Sequence, residues 1–288
     1  MLIHAAAPAP VPASMPIPMP IPMPAPRSRL GDTLDVQRNV IGALIMRELH
    51  TRYGRDNIGY LWIIAEPMLL AGTVALMHIG SETSGHYGSD FGVIPFTLTG
   101  YCVFMILRSI VTRAETTLEA NKPLLFHRMV TILDMLLARA LLESISAVAA
   151  MVVLLSGAVA LGLAHPPARP LLLLAGVGLM SWFSFALSML ICTATYFSKA
   201  AAKLVHPAVY LLLPLSGAFF LLRWIPEPFR TSLSWSPLNQ IFEMIHVGQF
   251  QSVESSYYDP LYAAGWCAAL TVLGLLSLRV LRRHVHLS

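Results

Sequence analysis

Long apolar runs separated by short polar stretches dominate the chain from residue 58 onward. A helix needs about 20 apolar residues to cross the hydrocarbon of a bilayer. Six segments meet that demand, at 58–79, 93–111, 132–163, 171–197, 204–222 and 261–281. Pro170 opens the fourth, where proline suits the first helical turn. Pro207 and Pro214 are expected to kink or interrupt the fifth. Two other segments carry a different pattern. Residues 32–51 set Leu34, Val40, Ile41, Leu44, Ile45 and Leu49 near helical spacing with charge opposite, as in an amphipathic helix lying on a membrane surface. Pro237–Phe250 is too short and too polar to span, and reads as a re-entrant or interfacial helix before the last span. The predicted fold is therefore all-α: a polytopic membrane protein with six transmembrane helices, an N-terminal amphipathic interfacial helix and this re-entrant helix.

Composition agrees. The 288 residues are 56% hydrophobic and 12% charged, with a mean hydropathy of +0.66, whereas soluble domains carry roughly 25% charged residues. A net charge of +4 read globally would suit a nucleic-acid partner, but read by position it reports topology, because translocated loops are poor in Lys and Arg. Arg27, Arg29, Arg38, Arg47, Arg52 and Arg55 precede the first span. Arg113, Lys122 and Arg128 separate the second and third, Lys199 and Lys203 the fourth and fifth, and Arg279, Arg282 and Arg283 close the sixth. The opposite side holds Arg169, Arg223 and Arg230, while Arg108 and Arg139 fall near or within spans. Both termini are expected in the cytoplasm, and no nucleic-acid partner is expected.

Residues 1–30 alternate proline with small or apolar residues, which blocks helix and sheet and predicts a disordered or polyproline II tail. No basic stretch precedes it and no unbroken apolar run follows, so it does not read as a signal peptide. A dispensable tail is the plainer account and a docking segment the alternative.

Reactive constellations are missing from the pattern. There is no GxxxxGK(S/T) loop to cradle nucleotide phosphates, no HExxH and no GxSxG. Cys102, Cys192 and Cys267 lie in separate apolar segments, and His284 and His286 do not share a helix face, so no metal site is expected. Charges within apolar segments say more, since they are costly in hydrocarbon and face protein or water. In the third span, Arg139 and Glu143 stand four apart, with Asp134 nearer the cytoplasmic end. They read either as a structural ion pair between helices or as the polar wall of a substrate path. Glu66 precedes Pro67 in the first span, and either anchors Arg52 or Arg55 or takes part in gating. Tyr101, Phe104, Trp182 and the Trp and Tyr residues of 224–258 suit a membrane interface, and equally a conduit whose rings stack on sugar faces.

At Arg52–Pro67 the chain reads RYGRDNIGYLWIIAEP, at Glu119–Glu143 EANKPLLFHRMVTILDMLLARALLE, and at Trp235–Glu243 WSPLNQIFE. In this order the three runs resemble the ABC-2 type permeases of capsular polysaccharide export. That family shows R-F/Y-G-x-x-x-L/I-G-Y-L-W-x-x-x-E-P, then E-A-N-x-x-L-F followed by an Asp–(x4)–Arg-A-L-L-E segment, then W-N-P-L-x-x-x-x-E. Ser236 stands where the family has Asn, and the proline-rich tail is extra. The resemblance implies a transmembrane domain over 31–288 in a bacterial inner membrane. It implies a homodimer, each copy joined to a separate ATPase subunit that binds the ATP and Mg, with no cofactor in this chain. It also implies a lipid-linked glycan as substrate, with a periplasmic co-polymerase and an outer-membrane polysaccharide channel as further partners. By the same analogy Arg52, Tyr53, Gly54, Arg55 and Glu66 form the substrate entrance or gate, where anchoring to anionic headgroups is the competing account of the arginines. Tyr101, Phe104, Asp134, Arg139, Glu143 and Trp182 line the channel. The loop near 113–128 is the coupling helix, with Glu115, Glu119, Asn121 and Lys122 meeting the ATPase. Export of O-antigen or teichoic acid is the nearest alternative, and a membrane transferase acting on lipid-linked sugars is the alternative from another class.

Overall fold

The computed structural model describes residues 29–53, Leu69 and Thr73, 92–121, 130–253 and 257–285, with side chains from residue 35 to 50 in the first segment. The proline-rich tail, the predicted first span and the predicted entrance residues Gly54, Arg55 and Glu66 lie outside the described residues, as does Lys122. By compactness the chain divides into 1–37 and 38–288. Helix α1 (Arg29–Tyr53) opens in the first unit and continues into the second.

The second unit holds α2 (Val93–Ala120), α3 (Ile132–Ala160), α4 (Pro170–Phe197), α5 (Lys199–Leu215), a 3-10 turn at Leu222–Trp224, α6 (Phe229–Ser234), α7 (Pro237–Gln249) and α8 (Pro260–Val285). Among the described residues, α2, α3, α4 and α8 are long and apolar enough to cross a membrane, and no strand is present. At 1.5 Å per residue each reaches about 40 Å, more than the hydrocarbon requires.

Helix α4 is the hub, touching α2, α3, α5, α7 and α8. Phe104, Leu107, Val177, Met180, Ile241, Phe242 and Ile245 fill the core between α2, α4 and α7. A second core joins Leu44 of α1 to Leu118, Met135, Met189 and Leu281. Apolar side chains left over point outward: Ile145, Val152 and Val153 on α3, and Val272, Leu273, Leu276 and Val280 on α8. Lipid is as apolar as leucine, so burial between such helices gains by close packing more than by leaving water. Two glycines show how close the packing is. A methyl group on Gly100 of α2 would overlap the Ala218 carbonyl oxygen, and one on Gly248 of α7 would stand 2.6 Å from the Leu173 nitrogen.

Three boundaries differ from the sequence pattern. Helix α2 runs on to Ala120, so Arg113, Glu115 and Glu119 sit on its last two turns, where the pattern predicts the start of a loop. The third span ends at Ala160, three residues early. The predicted fifth span, 204–222, stops at Leu215 and begins at Lys199; its 17 residues make about 25 Å. Pro214 removes the next amide donor, and Gly217 at φ +86° turns the chain in a way a side chain would resist. Ser216 closes the end by donating to Leu213 O at 2.9 Å. The predicted 237–250 segment is helical as α7, and eleven of its thirteen residues are buried.

Candidate functional site

Two polar systems stand out against this apolar background. The first gathers where α1, α2 and α3 meet. Arg139 of α3 carries its guanidinium to three partners on two other helices: Glu48 Oε1 on α1 at 2.9 Å, and Arg113 O and Thr117 Oγ1 on α2 at 2.9 and 2.8 Å. One turn further along α3, Glu143 meets the Arg113 guanidinium at 3.1 Å. Arg47 of α1 donates to Asn121 Oδ1, and Asn121 Nδ2 donates to Thr117 O at 2.7 Å. A void of about 10 Å³ lies among Leu44, Arg47, Glu48, Asn121, Met135, Ala138 and Arg139, on the scale of a single water. The charges alternate in sign across three helices, and Arg139 finds two acceptors beyond its carboxylate partner, which is what lets an ion persist away from water.

Asp134 has a separate task. Thr131 and Asp134 form a capping box: the Thr131 amide and hydroxyl both donate to Asp134 Oδ2 (2.9 and 2.8 Å), and Thr131 Oγ1 accepts from the Asp134 amide at 3.2 Å. The carboxylate also faces the positive end of the helix dipole. On its other side α2 addresses α5. Arg108 donates to the Tyr210 hydroxyl at 2.8 Å, and Glu115 stands 3.6 Å from His206.

The second system belongs to α7. Asn239, Glu243 and His246 are stacked along the buried side of that helix. Asn239 Nδ2 donates to Leu233 O at 3.1 Å, and Glu243 Oε1 accepts a short bond from the Leu222 amide. His246 Nε2 lies 3.1 Å from Gly217 O, and since a carbonyl can only accept, that nitrogen carries the proton. The ring stacks on Phe96 with centroids 4.3 Å apart. Burial pushes the imidazole down to about 4, against a smaller upward pull from the Gly217 carbonyl, so it is neutral at physiological pH. The far end of α7 is closed from α4: Arg169 and Ala168 amides donate to Gly248 O and Gln249 O at 2.8 and 3.2 Å, and the Arg169 side chain donates to Val247 O at 2.9 Å. A cation thus sits on the negative end of the α7 dipole.

The ABC-2 type transporter pattern matches residues 39–250, from within α1 to the end of α7. The chain belongs to the ABC-2 type transporter family. Among curated relatives of this ABC-2 chain is the capsule polysaccharide export inner-membrane protein CtrC of Neisseria meningitidis, 34% identical over 244 residues, which cover 85% of this chain and 91% of CtrC. The capsule polysaccharide export inner-membrane protein BexB of Haemophilus influenzae is 33% identical, covering 86% and 92%. The polysialic acid transport protein KpsM of Escherichia coli is 30% identical, covering 73% and 81%.

Placed on this ABC-2 fold, the predicted site residues separate. Arg139 and Glu143 join one cluster, and the structure adds Arg47, Glu48, Arg113 and Thr117 to it. Glu48 could have been found as an acid on the charged side of the 32–51 segment; Thr117 carries no sequence signal. Asp134 is 2% exposed and caps its helix. Phe104, at 1% exposed, and Tyr101, at 7%, pack inside the single subunit. Trp182 does reach the surface and donates from Nε1 to Thr271 Oγ1 at 3.0 Å. Of the predicted ATPase contacts, Glu119 is exposed and Glu115 partly so, whereas Asn121 is buried and spends its amide on Thr117 and Arg47. Arg52 and Tyr53 end α1.

Proposed function

We propose that this chain is the membrane-spanning permease subunit of an ABC exporter that carries a lipid-linked capsular polysaccharide across the inner membrane, driven by a separate ATPase subunit. The observation that carries the proposal is the near full-length likeness to the capsule polysaccharide export proteins. No covalent step takes place in this chain; ATP and Mg are bound by the partner.

In the finer picture the subunit has six spans and cytoplasmic termini and works as a homodimer. The alternation of Lys and Arg between loops supports that topology. Helix α1 from Asp32 to Thr51 lies at the cytoplasmic surface, and Arg52–Arg55 with Glu66 receives the anionic end of the glycan lipid. Helix α7 is a re-entrant helix from the opposite side: its 13 residues make about 20 Å, short of a span, and its enclosure supports a place inside the protein. The end of α2 near Glu119 meets the ATPase. The Arg139 cluster passes movement from there to α1, with rigid helices carrying it through the membrane. A periplasmic co-polymerase and an outer-membrane channel take the polymer onward.

Deleting the gene and locating the polymer tests the proposal. Finished polysaccharide accumulating inside the cell is the expected result. Absence of synthesis points to a transferase and overturns it. Finished polymer that proves to be O-antigen or teichoic acid keeps the permease and replaces the substrate.

A further inference from the structure

Between α6, the start of α7 and the start of α8 lies an open cleft of about 320 Å³, lined by Ser234, Trp235, Gln240, Tyr257, Tyr258, Asp259 and Tyr262. Small-ligand pockets begin at roughly this size. Four aromatic rings and a carboxylate contribute to the lining, and neither Lys nor Arg does.

Hydrogen bonds fix the walls before any ligand arrives. The Tyr262 hydroxyl donates to Trp235 O at 2.8 Å. Gln240 ties three segments together: its Nε2 donates to Ser234 O at 2.8 Å, and its Oε1 accepts from the Asp259 amide at 3.1 Å. Asp259 Oδ1 caps α8 through the Leu261 and Tyr262 amides at 2.9 and 3.3 Å. A carboxylate offers about four acceptor positions, so this exposed group retains acceptor capacity toward the cleft. Trp235 is 70% exposed although its backbone carbonyl is clamped.

We infer that this cleft is a binding subsite for a sugar unit of the exported glycan, with Trp235 and Tyr258 stacking on the apolar C–H face of a ring and Asp259 accepting from its hydroxyls. The inference rests on the reading of the chain as a polysaccharide permease and gathers two of its candidate sugar-stacking rings, Trp235 and Tyr258, with Asp259 into one site. The chemistry favours sugar over the other occupants. A phosphate headgroup would meet the Asp259 carboxylate in the lining, while the nearest cation, Arg230, lies over the Tyr257 ring at 5.9 Å and donates from Nε to Leu222 O and Ile225 O. A purely apolar side chain would gain the rings but make no use of the acceptor positions that Asp259 keeps beyond the Leu261 and Tyr262 amides. A sugar presents both an apolar face and hydroxyl donors. Prior clamping of the walls lowers the ordering cost of binding.

The test uses the full chain in phosphatidylethanolamine/phosphatidylglycerol nanodiscs. The probes are size-fractionated oligosaccharides released by mild acid from the producing cell's own surface polymer. Binding is read by saturation-transfer NMR on the sugar protons. Wild type is expected to bind weakly and saturably. Trp235→Ala and Tyr258→Ala should each weaken binding about tenfold, the loss of one stacking face. Asp259→Asn keeps a competent helix cap and should weaken binding without lowering thermal stability. Phe229→Ala, at an exposed ring on α6 outside the cleft, should bind as wild type. No transfer in wild type, or equal transfer in Trp235→Ala, overturns the subsite. So does transfer confined to lipid headgroup protons, which would make Trp235 a membrane-interface anchor. None of these results affects the location of polymer in the deletion strain, so the subsite and the permease reading fail separately.

Discussion

Replacing Glu48 and Arg139 together should cost far less than the two single losses added up. The two side chains are 16% and 11% exposed, so solvent screens their 2.9 Å contact little. Removing one member of a buried pair leaves the other charge stranded, at about 3–5 kcal/mol. Glu48→Leu falls at the low end, about 3 kcal/mol, because Arg139 retains Arg113 O and Thr117 Oγ1 as acceptors. Arg139→Met falls at the high end, about 5 kcal/mol, because it removes the donor that serves all three acceptors, the Glu48 carboxylate among them. The double variant strands no charge and should cost about 4 kcal/mol, which leaves a coupling energy near 4 kcal/mol. Heating detergent-solubilised protein and following the monodisperse fraction reads this out. At about 2–4 °C per kcal/mol for a chain of this order, Glu48→Leu lowers the midpoint by about 6–12 °C and Arg139→Met by more. The midpoint of the double variant should lie above the value expected from adding the two single losses. Additive losses, with coupling under about 0.5 kcal/mol, would refute the claim that this pair ties α1 to α3.

Three further outcomes follow from the geometry. Glu243→Leu leaves the buried Leu222 amide without its acceptor and should cost about 2–3 kcal/mol, while Glu243→Gln keeps an acceptor and should cost less. Equal midpoints for the two variants would dismiss the bond. His246 titrates near 4 when folded and about 6.5 when unfolded, so the unfolded chain takes up its proton first as pH falls. Its contribution is intact above pH 6.5 and declines toward pH 4, by about 2 kcal/mol at pH 5. His246→Leu should lack this part of the pH 7.5-to-5 midpoint shift, and an unchanged shift would contradict the assignment. Glu119→Lys reverses an exposed charge at the end of α2 and should abolish surface polymer while membrane levels of the protein stay normal. Undiminished export would remove Glu119 from the ATPase contact.

Helix identity was legible where the pattern is long and uniform. The apolar runs at 132–163, 171–197 and 261–281 became α3, α4 and α8 with shifts of a few residues, because twenty or more apolar positions leave a chain few other options. The ends were less legible. Arg113, Glu115 and Glu119 look like loop residues by charge, yet α2 absorbs them by pairing Arg113 with Glu143 and exposing Glu119. Pro214 announces a break, but the position of that break depends on Ser216, Gly217 and the α7 side chains that receive the next segment. The charged residues of α3 were visible as unusual in sequence. Their partners were not, because Glu48 is 91 residues away from Arg139 and pairing at that range is set by how helices cross. The rings of the aromatic cleft were visible as candidates for stacking on sugar, but their gathering was not, because Trp235 stands on a different segment from Tyr258, Asp259 and Tyr262.

Gly100 gives α2 a point of backbone contact about which a tilt would turn. Bare backbone there rests on the Ala218 carbonyl, and from that point to Ala120 the helix is an unbroken rod of about 30 Å. A tilt of about 5° about this contact would swing the Glu119 tip by about 2.6 Å on that arm. The same tilt would barely move the contact itself, so a lever anchored there would turn a small rotation into a displacement at Glu119.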